Sequence, residues 1–324
     1  MDNNFAGLNG FVWWIGVVEN TFDPLKMGRL RVRIIGWHNE DINLMPTDTL
    51  PWAEPLLPLT DTNKSLDVKE GDWVMGFFTD GENAQKPIVM GHFNGIKTIE
   101  YNTNLGFSPQ LTDSQKSLMP SPAPGIVTEP LNEPVNPSRL SRGVLQGTTV
   151  QKANENLDST DDWEEPISQA NASTPPQYPF NRATVTDFGH SIELDDTKGR
   201  ERVRIQHGVG TFTEIHSDGS RVNKIVGDNY EIVAKNNNVL IKGACNITVI
   251  GDVKTTVSGN YTLDVTGDIV VNGKTINLNN GTMGAARIGD TADTGDQGTG
   301  SHFDNNSPGT NVIETGSSTV FIGD

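Results

Sequence analysis

Between Gly219 and Gly273 apolar and polar positions alternate, and glycine returns every eighth residue. Gly219, Gly227, Gly243, Gly251, Gly259 and Gly267 occupy that grid, which only Lys235 interrupts. Two residues ahead of the grid points from 227 to 267 stand Ile225, Val233, Ile241, Val249, Val257 and Val265. Eight is even, so a strand carrying this repeat keeps its odd residues on one face. From Val239 that face includes Ile241, Cys245, Ile247, Val249, Val257, Leu263 and Val265, while the even positions carry Lys242, Asn246, Thr248, Asp252 and Thr256. The pattern predicts β-structure with one dry and one wet face. A helix would scatter these residues round its axis, and each glycine would cost it about 1 kcal/mol against Ala.

A narrow ribbon cannot shield its own apolar face, and an isolated hairpin is marginal in water. The repeat therefore predicts stacking, either of coils within one chain or of several chains about an axis. Eight residues are few for a full coil of a single-chain β-helix. They suit one side of a three-sided prism with glycine at the corners. The expected object is a homotrimer, an intertwined triple-stranded β-helix whose core holds Ile225, Val233, Ile241, Cys245, Val249, Val257, Leu263 and Val265.

The amino-terminal pattern differs. Apolar and polar runs take turns here: the short strands Phe11–Val18, Leu30–Ile35, Trp73–Phe78 and Ile88–Met90 are separated by turn residues such as Asp23, Pro24, Gly28, Asp80 and Gly81. Five or so such strands in about 85 residues predict an OB-type Greek-key barrel. Arg29, Arg31 and Arg33 alternate with Leu30, Val32 and Ile34 and are expected to share a face, either solvated or used to dock a partner.

Residues 99–180 hold 11 of the 18 prolines and no long periodic segment, which predicts an extended acidic linker. Strands resume at Ser191–Leu194, Arg202–Gln206 and Phe212–Ile215. The expected organisation is an OB-fold docking domain at 1–98, the linker at 99–180, the β-helix needle at 181–284 and a small tip at 285–324, all-β throughout.

Composition narrows the function. The chain has 324 residues, 34% of them hydrophobic, and a formal net charge of −17. So acidic a chain is a poor partner for nucleic acid, whose phosphates need a concentrated basic surface. Cys245 is the only cysteine and is expected to pack as a small hydrophobe. Phe11–Val18 is too short to span a bilayer, and synthesis in the cytoplasm is expected. His190, His207 and His216 lack metal-ligand spacing and carry no catalytic expectation.

The run from Phe11 to His38, followed by Pro46, Thr47, Leu50, Pro51 and Trp52 and then by Gly71, Asp72, Val74, Gly76 and Phe77, resembles the OB domain of the central spike family of T-even-like phages. Its Asp-Pro and Gly-Arg-x-x-Val elements also resemble the valine-glycine repeat spikes of type VI secretion. Gly189, Asp195, Asp196, Gly199, His207, Gly210, Thr211, Asp218 and Gly219 resemble the start of the same family's β-helix. The resemblance implies a protein of the virion tail baseplate that docks on the hub at the end of the tail tube. Its needle would pierce the host outer membrane when the sheath contracts.

T-even-like spikes carry a muramidase domain between barrel and β-helix, and such a hydrolase needs two carboxyl groups held in a structured cleft. Here the carboxylates between Glu155 and Glu165 fall in a low-complexity run, so the lysozyme is expected to be absent and the chain to be no enzyme. An envelope-degrading hydrolase and a glycan-binding adhesin are the competing readings. Ala285–Asp290, echoed by Val320–Asp324, resembles a shortened proline-alanine-alanine-arginine repeat tip. That likeness implies an apical metal, and with His302 the only histidine in the tip, three copies in a trimer would have to supply an Fe or Zn site together.

Overall fold

The computed structural model describes residues 11–59, 67–128, 130–161, 163–274, 291–292 and 311–312. The first five strands are β1 (Trp13–Asn20), β2 (Leu30–Ile34), β3 (Trp52–Pro55), β4 (Trp73–Phe78) and β5 (Pro87–His92). They close into a barrel of order β1-β2-β3-β5-β4, with β3 and β5 parallel and the other pairs antiparallel. This is the OB topology expected. Alternation along β1 sends Trp14 and Val18 inward to meet Leu30, Val32, Ile34, Val74, Phe78 and Val89. The interior is tight at Gly76, where a Cβ would stand 1.9 Å from the Ile88 carbonyl oxygen and 2.4 Å from the Trp14 ring.

Residues 99–180 are irregular, as their composition predicts, but they are also docked. They contain two short helices, α1 (Asp113–Lys116) and α2 (Thr149–Glu155), and the two-residue strands β6 (Ser159–Thr160) and β7 (Trp163–Glu164). Thr112 opens α1 through a capping box with Gln115. Against the barrel, the Phe107 and Gln110 amides donate to the Glu19 side chain and carbonyl at 2.8 Å each. On the other side Leu140, Val150 and Ala170 form a small core with Leu145, Ala183 and Val185. A segment without periodicity can still pack when scattered apolar residues and side-chain hydrogen bonds satisfy it.

An antiparallel meander follows: β8 (Asn181–Val185), β9 (Ser191–Asp195), β10 (Arg202–Gln206), β11 (Phe212–Ile215) and β12 (Arg221–Lys224). Residues 225–274 form no strand in the single chain. The strands expected here are those of an intertwined prism, in which the pairing partners would be other chains. Within this run the pre-glycine positions are the less exposed ones: Val249, two residues before Gly251, is 51% exposed and its neighbour Ile250 88%. Beyond it, β13 (Thr291–Ala292) and β14 (Asn311–Val312) pair antiparallel. The Ala285–Asp290 and Val320–Asp324 motifs and His302 lie outside the described residues.

Candidate functional site

The three arginines of the first hairpin are staples rather than an open docking face. Asp23 organises the β1–β2 turn by accepting from the amides of Leu25, Met27 and Arg29 and from the Arg29 guanidinium at 2.6 Å. The Arg29 hydrogen bond holds the Asp23 carboxyl far below the ordinary carboxylate range, against the opposing effect of burial. Arg31 donates to the carbonyls of Thr47, Asp48 and Leu50 and lies over the Trp52 ring at 4.5 Å. Arg33 is fully buried and forks onto Glu19 through Nε at 2.5 Å and Nη2 at 3.1 Å. The remaining lone pairs of Glu19 take the Thr47 hydroxyl at 2.7 Å and the Phe107 amide. Both sequence readings of this face are thereby corrected: the strand has long polar neighbours that consume its charge.

The β8–β12 sheet inverts the usual arrangement. Its covered face carries Asn181, Ser191, Glu193, Asp195, Arg202, Arg204, Gln206 and Glu214, all buried. Arg202 pairs with Glu193 at 2.6 Å and with Asp195, and Arg204 pairs with Glu214 while lying 3.8 Å from the Phe212 ring centroid. Burial pushes the Glu214 carboxyl up, but Arg204 and the hydrogen bonds from Ser168 and Gln169 outweigh it and leave it lowered. These groups face residues 140–170, whose irregular backbone cannot satisfy itself. Gln206 donates to the Thr149 carbonyl at 2.9 Å, Asn181 to that of Leu140 at 3.0 Å, and the Gln169 amide donates to Glu214 at 3.0 Å.

The opposite face is apolar and uncovered. In register across β9, β10 and β11 run Leu194, Val203 and Ile215, and beside them Ile192 and Ile205. All five are exposed. Sequence reasoning found these strands without finding which face was inward. The signal available was the opposed charge at Asp195 against Arg202 and Glu193 against Arg204.

Of the predicted trimer-core residues, Ile225, Val233, Ile241, Val249, Val257, Leu263 and Val265 are exposed in the single chain, and so is Cys245. Among the histidines, His190 and His207 pack tilted against each other with ring centroids 4.4 Å apart beside Phe188, and His216 Nε2 lies 2.9 Å from Glu214. Glu165, expected to be a solvated linker charge, is buried; it accepts from the Asp158 amide at 2.8 Å and from Lys224 at 2.7 Å. It clasps the end of β12 to the middle segment.

No family model matches the chain. Two curated relatives do. Protein Gp5 of Vibrio phage KVP40 is 38% identical over 288 aligned residues, covering 76% of this chain and 65% of the relative. The pre-baseplate central spike protein Gp5 of Enterobacteria phage T4 is 37% identical over 111 residues, or 31% of this chain and 19% of the relative. The chain thus spans less than two thirds of the length of these relatives. The expectation of a non-enzymatic chain is corrected by these matches. It set aside the muramidase domain that the family resemblance carries with it, and similarity to Gp5 proteins brings that activity back into view. One physical premise also fails, because Glu165 is fixed on a packed scaffold and not afloat in a linker. Over the aligned residues the chain is homologous to the Gp5 central spike proteins of T4-like phages.

Proposed function

We propose that this chain is the central spike of a phage tail baseplate, assembled as a homotrimer and located at the tip of the virion tail. The barrel holds the spike on the hub at the end of the tail tube. The needle pierces the host envelope, beginning with its outer membrane, when the sheath contracts. The observation that carries this reading is the uncovered apolar face of β9, β10 and β11, together with the exposed pre-glycine residues from Ile225 onward. Apolar surface of that extent on a chain of net charge −17 calls for partners, and a trimer supplies them. Three chains wound about one axis would bury both features and pair the backbone of the repeat, giving a shaft whose forced unfolding is slow because its barrier is high.

Mass in solution tests it. Sedimentation equilibrium of the purified chain is expected to give three times the 35.2 kDa of one chain. A folded monomer at micromolar concentration refutes the spike.

A further inference from the structure

The loop after β5 carries an asparagine–glycine step whose reacting groups are both unheld. Asn94 and Gly95 are exposed, and neither the Asn94 carboxamide nor the Gly95 amide makes a hydrogen bond to another described residue. Only the Gly95 carbonyl is engaged, accepting from the Val135 amide at 3.3 Å. The other loop asparagines differ. Asn39, Asn102 and Asn171 each hold their carboxamide oxygen on the amide two residues ahead, at 2.8, 3.0 and 3.0 Å. The aspartate–glycine steps are held as well. At Asp80–Gly81 the carboxylate accepts from the amides of Gln85 and Lys86, and at Asp218–Gly219 the glycine amide donates to the His216 carbonyl at 2.9 Å. Gly95 has no Cβ to shield its nitrogen, so the loop is free to bring that nitrogen onto the Asn94 carboxamide.

We propose that Asn94 is a site of spontaneous deamidation. The Gly95 nitrogen attacks Asn94 Cγ, and the N–Cγ bond forms as the carboxamide nitrogen leaves as ammonia, carrying off the Gly95 amide proton. Water then opens the succinimide: its hydroxyl adds to one ring carbonyl carbon and its proton returns to the nitrogen. Cleavage at Cγ leaves aspartate, and cleavage at the Asn94 main-chain carbonyl leaves isoaspartate. Nothing is oxidised or reduced. Isoaspartate routes the main chain through the side-chain methylene and so lengthens it by one carbon. The loop is tied to the middle segment by the Val135 bond to Gly95 and by the Asn132 amide, which donates to the Lys97 carbonyl at 2.6 Å. The added carbon displaces the Gly95 carbonyl and loosens that tie. Asn94 also lines an open groove with Ile96, Pro137, Arg142 and Tyr178, where the new carboxylate adds negative charge. This chemistry is independent of the spike reading.

The full chain, aged in mildly alkaline buffer and sampled by peptide mass spectrometry, tests it. The Asn94 peptide is expected to convert ahead of those holding Asn39, Asn102 and Asn171, with isoaspartate as the major product. Gly95→Ala, whose Cβ would meet nothing within 4 Å, is expected to slow conversion at least about tenfold. Hydrogen exchange at Asn132 and Val135 is expected to quicken in the converted fraction. Asn94 that stays intact while the held asparagines convert overturns the site, and so does a Gly95→Ala chain that converts at the wild-type rate. Unchanged exchange at 132–135 in the converted fraction overturns the loosening. Asn272–Gly273 is the other asparagine–glycine step among the described residues, and the proposed trimer would pair its backbone. Its conversion alongside Asn94 supports the chemistry at both steps and counts against the trimer.

Discussion

Replacing Glu19 separates a structural role for the arginine strand from a docking role. Glu19 and Arg33 are both wholly buried, and the carboxylate takes two guanidinium bonds, one hydroxyl and one amide. Glu19→Ala leaves the Arg33 charge in the interior with only the Asn39 and Met45 carbonyls. Breaking a buried pair from one side costs about 3–5 kcal/mol, and the stranded Thr47 and Phe107 donors push the figure to the upper end. Replacing both residues by methionine removes the uncompensated charge and is expected to recover most of the loss. Urea unfolding followed by tryptophan fluorescence, with Trp14 in the barrel core, reads the change. A loss under about 1 kcal/mol for Glu19→Ala refutes the reasoning. So does an Arg33→Ala variant that abolishes partner binding with barrel stability untouched, since that outcome restores the open docking face.

Four further outcomes are expected. Ile205→Lys, in the middle of the uncovered sheet face, is expected to convert the proposed trimer to monomer in sedimentation while leaving the barrel's dichroism unchanged. Gly76→Ala drives a methyl group into the Ile88 carbonyl and the Trp14 ring and destabilises the barrel by about 3 kcal/mol or more in the same urea experiment. The Asp23 carboxyl is held down by Arg29, so its contribution is complete above the unfolded-state value of about 3.9 and is lost as pH falls below it. Asp23→Asn therefore destabilises the barrel at pH 7, and its difference from wild type shrinks on acidification below about pH 4 in parallel urea titrations. Lys224→Met leaves Glu165 buried without its cation, and hydrogen exchange is expected to quicken in β12 and in residues 156–165 before it does so in the barrel.

Much of the barrel was legible because β2 alternates, β1, β4 and β5 are short apolar runs, and each is bounded by turn residues. β3 was not, since Trp52–Pro55 is only four residues, preceded by Pro51 and ending on Pro55, and its register with β2 rests on two pairs, Leu30 with Ala53 and Arg31 with Trp52. The docking of residues 99–180 left no periodic trace: Leu140, Val150 and Ala170 are ten and twenty residues apart, and much of what holds the segment is side chain to backbone. Alternation in Ser191–Ile215 located the strands but was silent on polarity, because a strand with apolar residues on one side and ion pairs on the other satisfies period two with either face inward. Arg33 shows the converse: its place in a run of three arginines hid a partner fourteen residues back in sequence.

In the proposed trimer the inverted sheet would tie the folding of this chain to its assembly. A conventional sheet would place Ile192, Leu194, Val203, Ile205 and Ile215 against the middle segment and leave Glu193, Arg202, Arg204 and Glu214 in water. That segment, however, offers carbonyls and amides, so an apolar face against it would strand backbone groups at about 1–3 kcal/mol each. Turning the charges inward satisfies them, and the desolvation this requires is only partly returned by the ion pairs. The proposed trimer would make up the difference on the far side. Burying the exposed half of each of the five aliphatic side chains is worth roughly 1 kcal/mol, so a trimer returns about 5 kcal/mol to each chain from this sheet alone. The sheet should therefore be weakest in an isolated chain, with an unfolding midpoint that rises with protein concentration, whereas the barrel, whose core closes within one chain, should unfold at a midpoint independent of it.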